Sequence, residues 1–294
     1  MANITVLGAG AWGTAFGQVL ADAGNDVMMW AIEPEIVKAI QTEHRNPVRL
    51  PSVDKLPDSM TATGDRAEAV AHAEVVVVAI AAQYARQALE EFKGLIPDEA
   101  VVVSLMKGIE QKTGKRMDQV VTEALDLPTD RFVAISGPNL SKQIAAREPA
   151  ATVVGCTDID VARRVAKLCT TDYFKTFITA DVIGLELCGS LKNVVALAVG
   201  MAHGAGFGEN TAAMIETRGL TEIKDVVTSA GNISAIICLN EMPSSSRRVT
   251  ALASGVGTWY RSPRATTALA VATPSATPLL AFVASSTLMP LPRL

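Results

Sequence analysis

The chain has 294 residues, of which 49% are apolar and 19% charged, with a formal net charge of -4. That length suits about two domains with a sizeable core, and the absence of any block of like charge argues against nucleic acid or an acidic membrane surface as the main partner. The four cysteines (Cys156, Cys169, Cys188 and Cys238) form no C-x-x-C pair, so no metal site is expected and a reduced, cytoplasmic protein is.

The first strand is expected directly after Met1-Ala2-Asn3, with no signal segment before it and no apolar run long enough for a membrane span. Ile4-Thr-Val-Leu7 runs into Gly8-Ala-Gly-Ala-Trp-Gly13, and a helical stretch from Thr14 to Ala23 closes on Gly24. Strand, G-x-G-x-x-G and helix start together form a pyrophosphate-binding turn, because free backbone N–H groups and the positive helix end converge there. Gly8 permits the tight turn, Gly10 lets the backbone approach the phosphates, and Gly13 lets helix and strand pack closely. Asp26 to Trp30 reads as the second strand. Glu33 follows it, near where an acid meets the adenosine ribose hydroxyls, and Ile32-Glu33-Pro34 holds no basic residue to favour the extra phosphate of NADP. The competing role for Glu33 is an acid at a helix start before Pro34.

Val75 to Ile80, Ala100 to Ser104 and Arg131 to Ser136 are continuous apolar runs of the kind parallel strands buried on both faces require. Helical stretches, Gln83 to Phe92 and Arg116 to Ala124, lie between them. The alternation predicts a doubly wound α/β, Rossmann-type sheet whose ligands sit beyond the strands' carboxyl ends. Two further motifs fall at those ends. Lys107, in Met106-Lys107-Gly108, is a cation suited to a phosphate, or a solvated loop lysine. Gly137 and Asn139, in Ser136-Gly137-Pro138-Asn139, offer polar contacts to a ligand, or a plain turn. Thr152 to Gly155 and Tyr173 to Ile178 add candidate strands.

The expected domains are residues 1–180, the dinucleotide-binding domain, and 181–294, a mainly α-helical and incomplete substrate domain. Lys192 lies in Gly189-Ser190-Leu191-Lys192-Asn193-Val194, read as opening a helix from Val194 to Met201. A lysine in a cleft donates a proton to a carbonyl oxygen as hydride arrives, or removes one in reverse; the alternative is a surface lysine. Asn193 hydrogen-bonds a substrate or caps backbone groups. Arg218 binds a phosphate bidentately or forms a structural ion pair. Beyond Lys224 the composition changes: Asp225 and Glu241 are the only acids, and lysine, histidine and glutamine are absent. A soluble helical domain needs charged outer faces, so residues 225–294 are expected to be weakly or non-natively structured.

Together these segments resemble the bacterial NAD(P)-dependent glycerol-3-phosphate dehydrogenases. The shared pieces are Gly8 to Ala15, Val27 to Trp30, Leu50-Pro51, Met106 to Glu110, Ser136 to Asn139 and Asp181 to Glu186. The most specific run is Gly189 to Val194, then Gly204 to Asn210, then Thr217 to Leu220. The resemblance implies interconversion of dihydroxyacetone phosphate and sn-glycerol 3-phosphate, feeding glycerophospholipid synthesis, with NAD or NADP as cofactor and NAD favoured. It implies Lys192 as the catalytic proton donor and acceptor, and Lys107, Gly137, Asn139, Lys192, Asn193 and Arg218 around the substrate. Gly8, Gly10, Ala11, Trp12, Gly13, Glu33, Lys107 and Ser141 would line the cofactor. A homodimer is compatible with it. Gln143 stands where the family usually has glutamate. The family's later Gly-Asp-Leu and Ser-Arg-Asn motifs are not found, which suggests a shifted reading frame after about Lys224. Two other readings are a catalytically impaired NAD(P)-binding module and a 3-hydroxyacid dehydrogenase relative.

Overall fold

A computed structural model describes residues 1–230. The weak structure expected from residue 225 is corrected for Asp225–Ser229, which continue helix Glu209–Ser229 with Val227 buried; the rest of that expectation, with the shifted frame, and Cys238, fall on residues 231–294 and lie outside the described residues. The chain divides into two compact units, Met1–Glu186 and Leu187–Leu294.

The first unit alternates strand and helix in chain order. Its elements are β1 (Asn3–Leu7), α1 (Ala11–Asp22), β2 (Asp26–Trp30), α2 (Pro34–Glu43), β3 (Met60–Thr63), α3 (Arg66–Val70), β4 (Val75–Val78) and α4 (Ala85–Glu90). There follow β5 (Val101–Ser104), α5 (Met117–Leu125), β6 (Phe132–Ser136), α6 (Ser141–Ala145), β7 (Ala150–Gly155), α7 (Ile159–Cys169) and β8 (Phe174–Thr179). Two long helices end the described chain, α8 (Val182–Gly204) and α9 (Glu209–Ser229).

The strands form one sheet in the order β3-β2-β1-β4-β5-β6-β7-β8. The first six are parallel, and the chain leaves β1 towards β2 and β3 on one side and β4 to β6 on the other. The switch point therefore lies between β1 and β4, where an open α/β sheet leaves a crevice. β7 runs antiparallel to β6 and parallel to β8, so the doubly wound arrangement expected from the sequence ends at β6.

The strand sequences explain this placement. Every residue of Val75–Val78 and Val101–Ser104 is buried, as β-branched runs covered on both faces require. α7 shows how a helix is specified. The Asp158 side chain caps the N–H groups of Asp160 and Val161 at 2.8 and 3.3 Å, and Ala162, Val165, Ala166 and Cys169 bury one face at i, i+3, i+4, i+7. Phe16 on α1 joins the faces: its ring lies 5.5 Å from Trp12 and 6.1 Å, edge-on, from Phe174 on β8. Asn25 ties the bottom of the sheet together, donating to the carbonyls of Leu20 at 2.8 Å and Leu168 at 2.9 Å.

Several boundaries differ from those read in the sequence. α1 begins at Ala11, not Thr14, because Gly10 in extended conformation already serves as its N-cap. α2, β3, α3, α6 and α7 were not anticipated. The helix assigned to Val194–Met201 lies in the C-terminal half of the 23-residue α8. α8 is long enough to cross a membrane, and an 18-residue window of it has a mean hydropathy of 1.7, a match by length and composition only. Its apolar run is interrupted in sequence by Glu186 and Lys192, and so is not continuous to the eye.

Truncating the ring that bridges α1 and β8 opens a cavity in a close-packed core. Phe16→Ala is expected to lower unfolding free energy by about 3–5 kcal/mol, measured by urea denaturation.

Candidate functional site

At the end of β1 the backbone turns at Gly8, whose φ is +110°, a conformation that favours glycine. A Cβ there would lie 2.7 Å from the Ala79 carbonyl oxygen beyond β4. A Cβ on Gly13 would collide with the Gly8 carbonyl oxygen and touch Ala79 Cβ at 3.0 Å. Neither position has room for a side chain, so the first turn of α1 lies directly against the turn after β1. Gly10 differs. A Cβ added there meets nothing within 4 Å, which leaves space against the backbone at the start of a twelve-residue helix. That space suits a pyrophosphate, since unpaired N–H groups and the helix dipole point to it. Ala11 and Trp12 form the first residues of α1 and are half-buried.

Asn46 holds this turn from behind. Nearly fully buried, it donates from Nδ2 to the Ala9 carbonyl oxygen at 2.9 Å and to Thr14 Oγ1 at 2.9 Å. Local pattern gave no signal for it, because it arrives from the loop between α2 and β3. The same loop brings Arg49 to Glu33, with Nη2 2.9 Å from Oε1. Glu33 is the N-cap residue of α2 but makes no side-chain cap. Its carboxylate instead pairs with a half-exposed arginine, a cation that Ile32-Glu33-Pro34 alone did not supply.

A second cluster lies at the carboxyl ends of β5 and β6. Lys107 Nζ donates to the Gly137 carbonyl oxygen at 2.9 Å. Asn139 Nδ2 donates to Thr152 Oγ1 at 3.0 Å, and Thr152 Oγ1 donates to the Ser136 carbonyl oxygen at 3.1 Å. This relay leaves Asn139 Oδ1 buried with no hydrogen-bond partner, a state that costs free energy unless a ligand supplies a donor. Gly137 is required by packing: a Cβ would lie 2.9 Å from the Ala151 carbonyl oxygen. The structure thus brings Lys107, Gly137 and Asn139 together on the edge that also carries Gly8–Gly13. Thr152, expected only as part of a strand, supports Asn139. Ser141 is the first residue of α6, which packs on α1 through Gln18 Nε2 and the Ala145 carbonyl oxygen at 3.1 Å. Gln143 is exposed on α6.

The loop beyond Lys107 is braced by charge. Arg86 on α4 reaches Glu110 at 2.9 and 3.0 Å and Glu123 at 3.1 Å. The Arg86 guanidinium, assisted by the Thr113 hydroxyl, holds the Glu110 carboxyl down at about 2. Glu186, near the start of α8, accepts from the Asp118 backbone N–H at 3.0 and 3.2 Å and so caps α5 from outside it. Burial, then the neighbouring Asp118 carboxylate, pushes the Glu186 carboxyl well above its ordinary range, with Arg116 3.8 Å away opposing them.

The remaining expected residues belong to the second unit. Lys192 and Asn193 follow Val182 by ten and eleven residues inside α8, Lys192 half-buried and Asn193 exposed. The reading of Lys192 at a helix opening is corrected: the glycine and serine before it, which suggested a boundary, are accommodated within the helix. Arg218 on α9 pairs with Glu222 one turn on, both exposed, which favours the ion-pair reading over a phosphate contact.

Two family models match the chain: the N-terminus of NAD-dependent glycerol-3-phosphate dehydrogenase over residues 3–162, and its C-terminus over residues 181–246. The second match continues past Lys224. The glycerol-3-phosphate dehydrogenase (NAD(P)+) of Bifidobacterium longum is 75% identical over 229 residues, which are 78% of this chain and 69% of the relative. That of Thermobifida fusca is 48% identical over 232 residues, 79% of this chain and 69% of the relative. The crystal structure of glycerol-3-phosphate dehydrogenase from Coxiella burnetii superimposes with a TM-score of 0.73 at 28% identity, covering 87% of this chain and 81% of that one. The yeast Saccharomyces cerevisiae enzyme gives 0.69 at 29% identity, covering 77% and 70%. The structure of a D-mandelate dehydrogenase shares the fold alone, with a TM-score of 0.54 at 17% identity.

Two outcomes test this geometry. Gly10→Leu is expected to abolish NADH binding in a fluorescence titration while costing about 1 kcal/mol as a poorer N-cap, whereas Gly13→Val loses both binding and stability. Glu110 has a lowered pKa, so its stabilisation is present above its ordinary value of 4.5 and is lost as pH falls towards about 2. Glu110→Gln should therefore lower the thermal midpoint at neutral pH, with the difference from the native chain shrinking through that acid window.

Proposed function

The chain belongs to the NAD-dependent glycerol-3-phosphate dehydrogenases, and we propose how its residues divide that reaction. It is an oxidoreductase that interconverts dihydroxyacetone phosphate and sn-glycerol 3-phosphate with NAD or NADP. The carrying observation is the shared sheet edge: a glycine turn open at Gly10 and, beyond the neighbouring strands, a lysine–amide cluster with an orphaned acceptor. Neither alternative, a crippled binding module or a hydroxyacid dehydrogenase, is favoured beside two matching models of one family.

Gly8, Gly10, Ala11, Trp12 and Gly13 hold the cofactor's pyrophosphate, and Ser141 contributes from α6. When bound, the nicotinamide supplies or accepts the hydride. Lys107 holds the substrate's anionic end by charge, its ammonium oriented by the Gly137 carbonyl oxygen. Asn139 Oδ1 accepts from a substrate hydroxyl, completing the one unsatisfied position of its amide. Lys192 donates the proton that the carbonyl oxygen takes up in reduction and recovers it in oxidation, and Asn193 stands beside it. Arg218, which pairs with Glu222 on the exposed surface of α9, is assigned no substrate contact.

Glu33 and Arg49 set cofactor choice together. A carboxylate suits the two ribose hydroxyls of NAD, and a guanidinium suits the phosphate of NADP. Their pairing at 2.9 Å offers both chemistries and supports use of either cofactor rather than the NAD preference read from Glu33 alone. We place the activity in a reducing, cytoplasmic setting: Cys156 and Cys169 are buried thiols, and burial raises the Cys169 thiol to about 12, which keeps it unreactive.

Lys192→Ala should lower turnover of dihydroxyacetone phosphate by about 10²–10⁴-fold while sparing NADH affinity, read from NADH consumption and a separate binding titration. Equal loss of both would make the lysine structural and end the assignment. Arg49→Ala should weaken NADPH relative to NADH by about tenfold, read as the ratio of their dissociation constants.

A further inference from the structure

The hydrogen bonds around Asn139 have a direction that can be read from one end. The Ser136 carbonyl oxygen can only accept, so at 3.1 Å it takes the proton of the Thr152 hydroxyl. With that proton committed, Thr152 Oγ1 is an acceptor towards Asn139, and the amide meets it through Nδ2 at 3.0 Å. Were the amide reversed, Oδ1 and Oγ1 would face each other with no proton between them. The two ends of an amide have nearly the same shape, so a threonine on a different strand imposes this orientation.

Thr152 is itself firmly held. It is 1% exposed, and its strand, β7, is paired with β6 on one side and β8 on the other. β7 passes so close to the end of β6 that a Cβ on Gly137 would lie 3.0 Å from both Thr152 Cα and Thr152 Oγ1.

The consequence falls on the far end of the amide. Asn139 Oδ1 is buried without a partner, and the relay prevents it from exchanging places with Nδ2. A group placed against it must donate. The two substrates share one group that always does. Their phosphate is anionic and accepts. The oxygen on the reacting carbon is a hydroxyl in the alcohol but a carbonyl in the ketone, so a fixed acceptor there would oppose one of the two states. The terminal hydroxyl donates in both.

We propose that Thr152 determines specificity: by fixing the Asn139 amide with Oδ1 towards the ligand, it makes the site read the substrate's terminal hydroxyl and reject a carboxylate in that place. Thr152 acts through Asn139 and is a positioning residue. The inference rests on the assignment of Asn139 to the substrate made above.

The test compares two ketones on the full chain loaded with NAD, where neither is reduced because the cofactor is already oxidised. Dihydroxyacetone phosphate carries the terminal hydroxyl; phosphohydroxypyruvate carries a carboxylate there, which only accepts. Their dissociation constants are read by isothermal titration calorimetry. The native chain should favour the hydroxyl ligand by about tenfold or more, since the carboxylate leaves two acceptors opposed. Thr152→Val keeps the side chain's shape and frees the amide to present Nδ2. The carboxylate ligand should bind this variant more tightly than the native chain, and the preference should shrink by about tenfold. Thr152→Ser returns the hydroxyl and should return the preference. A merely structural role predicts weaker binding of both ligands, not a gain for one. Thr152→Ala, which removes the hydroxyl without placing a methyl against the Ser136 carbonyl, serves if Thr152→Val loses its cooperative thermal transition.

A preference unchanged in the variants lacking the hydroxyl overturns the proposal. So does a native chain that binds neither ligand or both equally, or an effect confined to NAD affinity, which would set Oδ1 against the cofactor. NADH consumption with dihydroxyacetone phosphate is followed separately. Turnover without discrimination sinks the role of Thr152 alone; discrimination without turnover sinks the division of the reaction and leaves the role of Thr152 standing.

Discussion

The first unit depends on an approach so close that it excludes side chains. The Gly8 carbonyl oxygen, the backbone of Gly13 and Ala79 meet where β1 ends and α1 begins, and any Cβ at Gly8 or Gly13 would force them apart. This contact sets α1 against the sheet at the switch point, aims its unpaired N–H groups over the strand ends, and leaves Gly10 facing open space. Asn46 locks the arrangement by occupying the Ala9 carbonyl oxygen and the Thr14 hydroxyl. The free energy is spent in packing the turn, so that binding an anion requires little further ordering.

The neighbouring strand ends use a different device. Lys107, Gly137 and Asn139 are oriented by hydrogen bonds that run into β6 and β7. The antiparallel β7 makes this possible, since it presents Thr152 beside the end of β6. Behind the cluster, Arg86 binds two carboxylates and fixes the loop that carries Lys107. A charge held this way is positioned before a ligand arrives, which is the condition for electrostatic stabilisation to act without reorganisation.

Much of this was legible because its signals are local. The β1–turn–α1 unit, the buried valine runs and the lysine and Gly-Pro-Asn motifs at strand ends follow from residue type and spacing. α7 carries local signals of the same kind, the Asp158 cap and the four-position apolar face. β3, a four-residue strand of Met-Thr-Ala-Thr, carried no comparable signal, because only pairing with β2 makes it a strand. The start of α8 was not legible, since the Gly189-Ser190 pair before Lys192 normally weakens a helix that here continues through both.

The amino-acid order by itself determined that the chain builds a dinucleotide-type turn on a buried parallel sheet and belongs with dehydrogenases of one kind, because glycine spacing and uninterrupted apolar strands are backbone requirements written in consecutive residues. Only the tertiary structure decided that Asn46 latches the turn, that Arg49 meets Glu33, and that Thr152 leaves Asn139 with an unsatisfied oxygen. Those contacts join residues from separate elements, and their chemistry depends on how helices and strands are brought together in space, which no local period encodes.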